Sequence, residues 1–163
     1  LVFIFLQISE AVANSNKEVC MISFRQAMEI LRPESLSKPD IQIAYNKQYK
    51  ILSQNKFADQ LTGLVNDAYN VINNQAKYYD LQNLKLNEGS ILDQIKIKLA
   101  ALPDDPKLVI ELKGSWIWIS GNTFDNKDIL NSLKFRFNRD LSMWYWSENY
   151  GQKTYSTAAA LGQ

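Results

Sequence analysis

The spacing of apolar residues changes once along this chain, at Pro103-Asp104-Asp105-Pro106. Upstream they recur at three- and four-residue steps, the period of an amphipathic helix; downstream they alternate, the period of a strand. That change predicts an α+β fold with a helical part over residues 21–102 and a sheet-bearing part over 108–147. Ile22, Phe24, Ala27, Met28, Ile30 and Leu31 place a first helix before Arg32-Pro33, since the residue preceding a proline is pushed out of the α region. Ser37-Lys38-Pro39-Asp40 opens a second helix, running from about Asp40 to Leu52. Ser53 to Lys56 is polar and reads as a loop. A wide apolar stripe from Phe57 to Tyr79 predicts a third helix, which Asn73-Asn74 either ends or frays. Asp80 to Glu88 is polar and loosely patterned, and Ile91 to Leu102 reads as a fourth helix.

Downstream, Leu108 to Leu112 reads as a strand, Lys113-Gly114 as a turn, and Ser115 to Ser120 as a second strand. Strict alternation puts Trp116 and Trp118 on one face and Ile117 and Ile119 on the other. Gly121-Asn122 is turn chemistry. A helix is predicted over Phe124 to Leu133, with Ile129, Leu130 and Leu133 turned inward. Phe135-Arg136-Phe137 and Met143 to Trp146 form a hairpin across Asn138-Arg139-Asp140. The order is β-β-α-β-β. Residues 148–163 are small and polar and are expected to form a mobile tail.

At the other end, Leu1 to Leu6 is an apolar run that Gln7 interrupts. It has no basic residue before it, as a signal peptide requires, and is far too short to span a bilayer. Met21 is the expected biological start, with residues 1–20 an upstream extension; the alternative is an extra N-terminal helix packed on the body. The expectation is a cytoplasmic protein with no membrane association.

Composition removes several chemistries. The sequence has no histidine, which excludes imidazole acid–base catalysis, the Ser-His-Asp triad and the commonest zinc ligand. The single cysteine, Cys20, allows no internal disulfide, and without histidine it does not suggest a thiol protease. Ser53, Ser115 and Ser120 have no partner base, and the six glycines form no phosphate-binding loop. Asp125, Asp128 and Asp140 fall at a helix start and a turn, where carboxylates cap amides more readily than they gather a metal. No enzyme activity, cofactor or metal is expected. Formal net charge is only +1, and six Lys/Arg against five Asp/Glu follow Leu108, so no basic excess marks a nucleic-acid surface.

Three segments of the first half carry a family likeness. Ala27-Met28-Glu29-Ile30-Leu31, Ile41-Gln42-Ile43-Ala44-Tyr45-Asn46-Lys47 and Leu64-Val65-Asn66-Asp67-Ala68-Tyr69-Asn70-Val71-Ile72 resemble the first three helices of a J-domain. That module stimulates the ATPase of DnaK-type chaperones. The likeness covers roughly Met21 to Tyr79. The family's His-Pro-Asp tripeptide lies in the loop after the second helix, and that position here holds Ser53-Gln54-Asn55. The resemblance therefore implies a J-like bundle that does not stimulate the chaperone. Lys47, Lys50 and Lys56 are the candidates for chaperone docking, in the manner of the family's basic second-helix surface.

In the second half, Gly114 to Thr123, Lys127, Leu130, Phe135-Arg136-Phe137 and Trp144-Tyr145-Trp146 resemble a short module found beside J-like regions in bacterial and phage proteins. A related element ends some primase- and helicase-like proteins. This chain departs from the pattern at Phe137, where tryptophan is usual, and at Leu133-Lys134, where glycine commonly precedes the first aromatic. The turn from Arg139 to Ser142 is also less basic. Trp116, Trp118, Phe137 and Tyr145, with Lys113, Arg136 and Arg139, are the candidate face for a partner or for single-stranded nucleic acid. Core packing is the stronger reading of these aromatics, because a module this small has little else to bury. The leading expectation is a non-catalytic J-like adaptor with a protein partner. Single-stranded nucleic-acid binding is the alternative.

Overall fold

The computed structural model describes residues 22–148. The expectations for residues 1–20 and for the tail beyond 148 lie outside the described residues. The described chain divides into two compact units, Ile22–Ala100 and a second that begins at Ala101.

The first unit is helical. Helix α1, Phe24–Leu31, opens with a capping box in which Ser23 Oγ accepts from Gln26 N–H and the Gln26 side chain accepts from Ser23 N–H. It ends where Arg32, ahead of Pro33, takes a left-handed backbone with φ 48°. Helix α2, Lys38–Leu52, is capped by Ser37 and carries Pro39 in its first turn. It starts slightly earlier than the sequence suggests. Helix α3, Ala58–Gln75, buries Leu61, Leu64, Val65, Ala68, Val71 and Ile72 along one stripe. It gives way to a 3-10 turn at Ala76–Tyr78, so the predicted single helix to Tyr79 tightens at its end. After a second 3-10 turn at Leu81–Asn83 comes helix α4, Ile91–Ala100. Helices α1 and α2 both pack on α3, and α4 contacts α1 and α3.

The irregular connector before α4 is tied to α1 and to its C-cap residue, Arg32. The Arg32 guanidinium donates to the carbonyls of Asn87, Glu88 and Gly89. The buried Glu29 carboxylate accepts from Asn87 N–H at 2.6 Å. The buried group here is the Glu29 carboxylate, and the Asn87 amide gives it the hydrogen-bond partner that a buried charge requires.

The second unit contains one four-stranded antiparallel sheet. Strands β1 (Leu108–Lys113) and β2 (Trp116–Gly121) form a hairpin across Gly114-Ser115. A short helix α5 (Lys127–Ser132) precedes β3 (Arg136–Asn138) and β4 (Met143–Trp146). Spatial order is β1-β2-β4-β3, which puts β2 and β4 in the centre. Ile117, Ile119 and Leu130 are completely buried. The inward trio expected on α5 reduces to Leu130. Ile129 is 45% exposed and Leu133 only half-buried, because six residues of helix present a single apolar position inward.

A polar bracket holds the hairpin's open end. Asp105 Oδ1 accepts from Lys107 N–H at 2.9 Å, and its Oδ2 accepts from the side-chain amides of Asn122 at 2.9 Å and Asn126 at 3.0 Å. These donors hold the Asp105 carboxyl below its ordinary range, the Lys107 amide contributing most. Asn122 N–H also donates to Lys107 C=O. Gly121 sits between these groups at φ 85°, and a Cβ there would stand 2.1 Å from the Lys107 carbonyl oxygen. The capping expected of Asp125 is absent. Asn126 occupies the cap of α5 and turns its side chain to Asp105 and to the Asn122 carbonyl instead.

Two glycine substitutions separate backbone conformation from space. Gly121→Ala should destabilise the protein by roughly 1–3 kcal/mol or more, from backbone strain alone before the clash is added. Gly63→Ala, in the middle of α3 with open space around it, should stabilise by roughly 0.5–1 kcal/mol. Urea unfolding of both variants checks this, and equal signs would contradict it.

Candidate interaction surfaces

The two Ala-Tyr pairs of the helical unit meet. Ala44 and Ala68 are buried, which lets α2 and α3 approach, and the rings of Tyr45 and Tyr69 lie 4.6 Å apart at 45°. Each phenol crosses to the opposite helix: Tyr45 Oη donates to Asn66 Oδ1 at 2.6 Å, and Tyr69 Oη donates to Gln42 Oε1 at 2.7 Å. Tyr49 extends the cluster, 5.7 Å from Tyr45. The helical spacing places Tyr45 and Tyr69 on inward faces but does not reveal the reciprocal bonds, which depend on Gln42 and Asn66 facing across the helix pair.

The loop joining α2 to α3 holds Ser53, Gln54 and Asn55. Ser53 closes α2, its N–H donating to Tyr49 C=O and its hydroxyl to Lys50 C=O. Asn55 shapes the turn into α3: its Oδ1 accepts from Phe57 N–H at 2.9 Å and its carbonyl from Ala58 N–H at 3.0 Å. Asn55 thereby supplies what Phe57, which has no capping side chain, lacks at the start of α3. Gln54 is exposed. Lys47 and Lys50 are exposed on α2, three residues apart and so on one side of the helix. Ile43 and Ile51, one turn before and after Lys47, are also exposed. Lys56 belongs to the loop, with its Nζ 5.6 Å from the centre of the Phe57 ring.

In the second unit the aromatic residues separate by sheet face. Trp118 pairs with Tyr145 and Ile119 with Trp144, so Trp116, Trp118, Met143 and Tyr145 share one face. The ring centres of Trp116 and Trp118 are 6.2 Å apart, and Tyr145 lies 5.8 and 5.4 Å from them. Trp116 is 2% exposed, while Trp118 and Tyr145 are each 6% exposed. Phe137 pairs with Trp144 on the opposite face and stays 47% exposed. The four aromatics do not make one open platform. Base stacking needs bare ring faces, and three of these rings are closed in by one another and by Met143. Lys113 and Arg136 occupy positions opposite Trp116 and Tyr145 in the register, whereas Arg139 sits in the turn beyond β3.

Asp125, Asp128 and Asp140 do not converge. Among the described residues no group of three or more His, Cys, Asp or Glu is placed to hold a metal ion. Nor is any helix of the described residues long and apolar enough to cross a membrane. No protein-family model, curated protein or solved structure matches the chain.

Glu111 stands opposite Trp118 on the tryptophan face. Burial raises its carboxyl above the ordinary range, and Lys113 on the same face partly offsets this. A raised folded-state value means that the charged form is disfavoured in the fold. The penalty is absent below the unfolded value, near pH 4 to 4.5, and grows as pH rises through the folded one. Glu111→Gln should therefore raise the thermal midpoint at pH 7 and leave it nearly unchanged at pH 3. An equal gain at both pH values would contradict this account.

Proposed function

We propose that the chain is a non-catalytic J-like adaptor, an interaction protein that does not stimulate a DnaK-type ATPase. The observation that carries the reading is the α2–α3 hairpin with Ser53-Gln54-Asn55 in its connecting loop. The J-like segments contribute the packed helices, and the loop lacks the imidazole, the ring constraint and the carboxylate of the family's tripeptide. Asn55 spends its side chain on the turn itself. The exposed Lys47 and Lys50, flanked by Ile43 and Ile51, support α2 as a docking surface for a protein partner. The burial of Trp116, Trp118 and Tyr145 counts against the alternative, single-stranded nucleic-acid binding on that face.

Steady-state ATPase of a DnaK-type chaperone tests the proposal. The protein should leave the rate unchanged, and clear stimulation would overturn the proposal. Replacing the tripeptide together, Ser53→His, Gln54→Pro and Asn55→Asp, should yield a variant that raises the rate in a manner abolished by Lys47→Glu and Lys50→Glu. A folded triple variant that stays silent would remove the chaperone as the partner.

A further inference from the structure

A second surface of the helical unit lies in irregular chain. Glu34, Ser35 and Leu36, between α1 and α2, face Tyr79, Asp80, Leu81 and Gln82 across an open groove of about 460 Å³. Leu36 and Leu81 are half-buried and give the groove apolar surface. Tyr79 stacks flat on Phe24, with ring centres 3.9 Å apart and planes within 3°. Phe24 is buried in the core, so this stack fixes the tyrosine ring, yet Tyr79 remains 45% exposed. A rigid aromatic side chain that keeps exposed surface binds at low entropic cost.

The charged residues that line the groove are both acidic. Glu34 and Asp80 line it, and no lysine or arginine does. Glu34 is exposed and makes no hydrogen bond or ion pair among the described residues. Asp80 accepts from Gln82 N–H at 3.1 Å and from the Asn83 side chain at 3.4 Å. A carboxylate has about four lone-pair sites, so Asp80 is held in place with acceptor capacity to spare. One carboxylate held in place and a second free to meet it, beside an aromatic ring and two leucines, suit a guanidinium or ammonium carried next to an aliphatic side chain.

We propose that this groove binds a short peptide segment in which arginine or lysine alternates with aliphatic residues. The aliphatic side chains cover Leu36 and Leu81, while the cation lies against Tyr79 between Glu34 and Asp80. Its residues include none of the Lys47, Lys50 and Lys56 set, so the proposal stands independently of the chaperone reading and is tested by binding alone.

The experiment titrates a capped pentapeptide of alternating leucine and arginine into the full chain, observed by amide NMR. Its counterpart has glutamate in place of arginine. The basic peptide should bind saturably and shift the amides of residues 34–36 and 79–82, and the acidic one should not. Glu34→Lys replaces an attraction with a repulsion and should weaken binding at least about fivefold. Because Glu34 is exposed, the urea midpoint of that variant should stay unchanged. No saturable shift, shifts confined to other residues, or undiminished binding by Glu34→Lys would overturn the proposal.

Discussion

Trp116, Trp118 and Tyr145 pack ring against ring on one face of the sheet, and the architecture of the second unit follows from closing that face. A module this small has few residues to bury, and large aromatic rings give the most area for each residue committed. On the other side of β2, Ile117 and Ile119 have no exposure at all. A strand buried on both faces belongs in the interior of a sheet, and β2 lies between β1 and β4. The Asp105 bracket complements this packing from the edge. It ties the entry of β1 to the exit of β2, fixing the register that sends the tryptophans to one face and the isoleucines to the other.

In the helical unit the corresponding constraint is the crossing of α2 and α3. Small residues at Ala44 and Ala68 bring the helices close, and the exchanged phenol bonds of Tyr45 and Tyr69 set their mutual placement. This crossing decides where the 53–57 loop projects. It also leaves Ile43, Lys47, Lys50 and Ile51 on exposed parts of α2, away from the buried positions Ile41, Ala44 and Leu52. In the 53–57 loop the Asn55 side chain is committed to the turn into α3.

Much of this was legible in the sequence because it depends on local period. The change of spacing at Pro103–Pro106, the stripe on α3 and the alternation within β2 each need only a few neighbouring residues. What stayed hidden depends on distant ones. Asp105 finds Asn122 and Asn126 seventeen and twenty-one residues away, and Glu29 reaches Asn87 across fifty-eight. The expectation that Ile129 points inward fails because α5 is only Lys127–Ser132, and so short a helix buries a single apolar position, Leu130. Phe137 was grouped with the tryptophans on residue type, whereas its pairing with Trp144 assigns it to the opposite face. Each error concerns tertiary register, which hydrophobic pattern alone does not set.

The tryptophan face is a packed core and not an exposed platform. Trp144 is the one indole left half-exposed, so Trp144→Phe leaves Trp116, Trp118 and Trp146 as the only reporters. Acrylamide quenching of that variant tests the claim directly. The folded protein should show blue-shifted emission and weak quenching, both reverting to the behaviour of free tryptophan in urea. Strong quenching of the folded protein, with emission already like that of tryptophan in water, would contradict it.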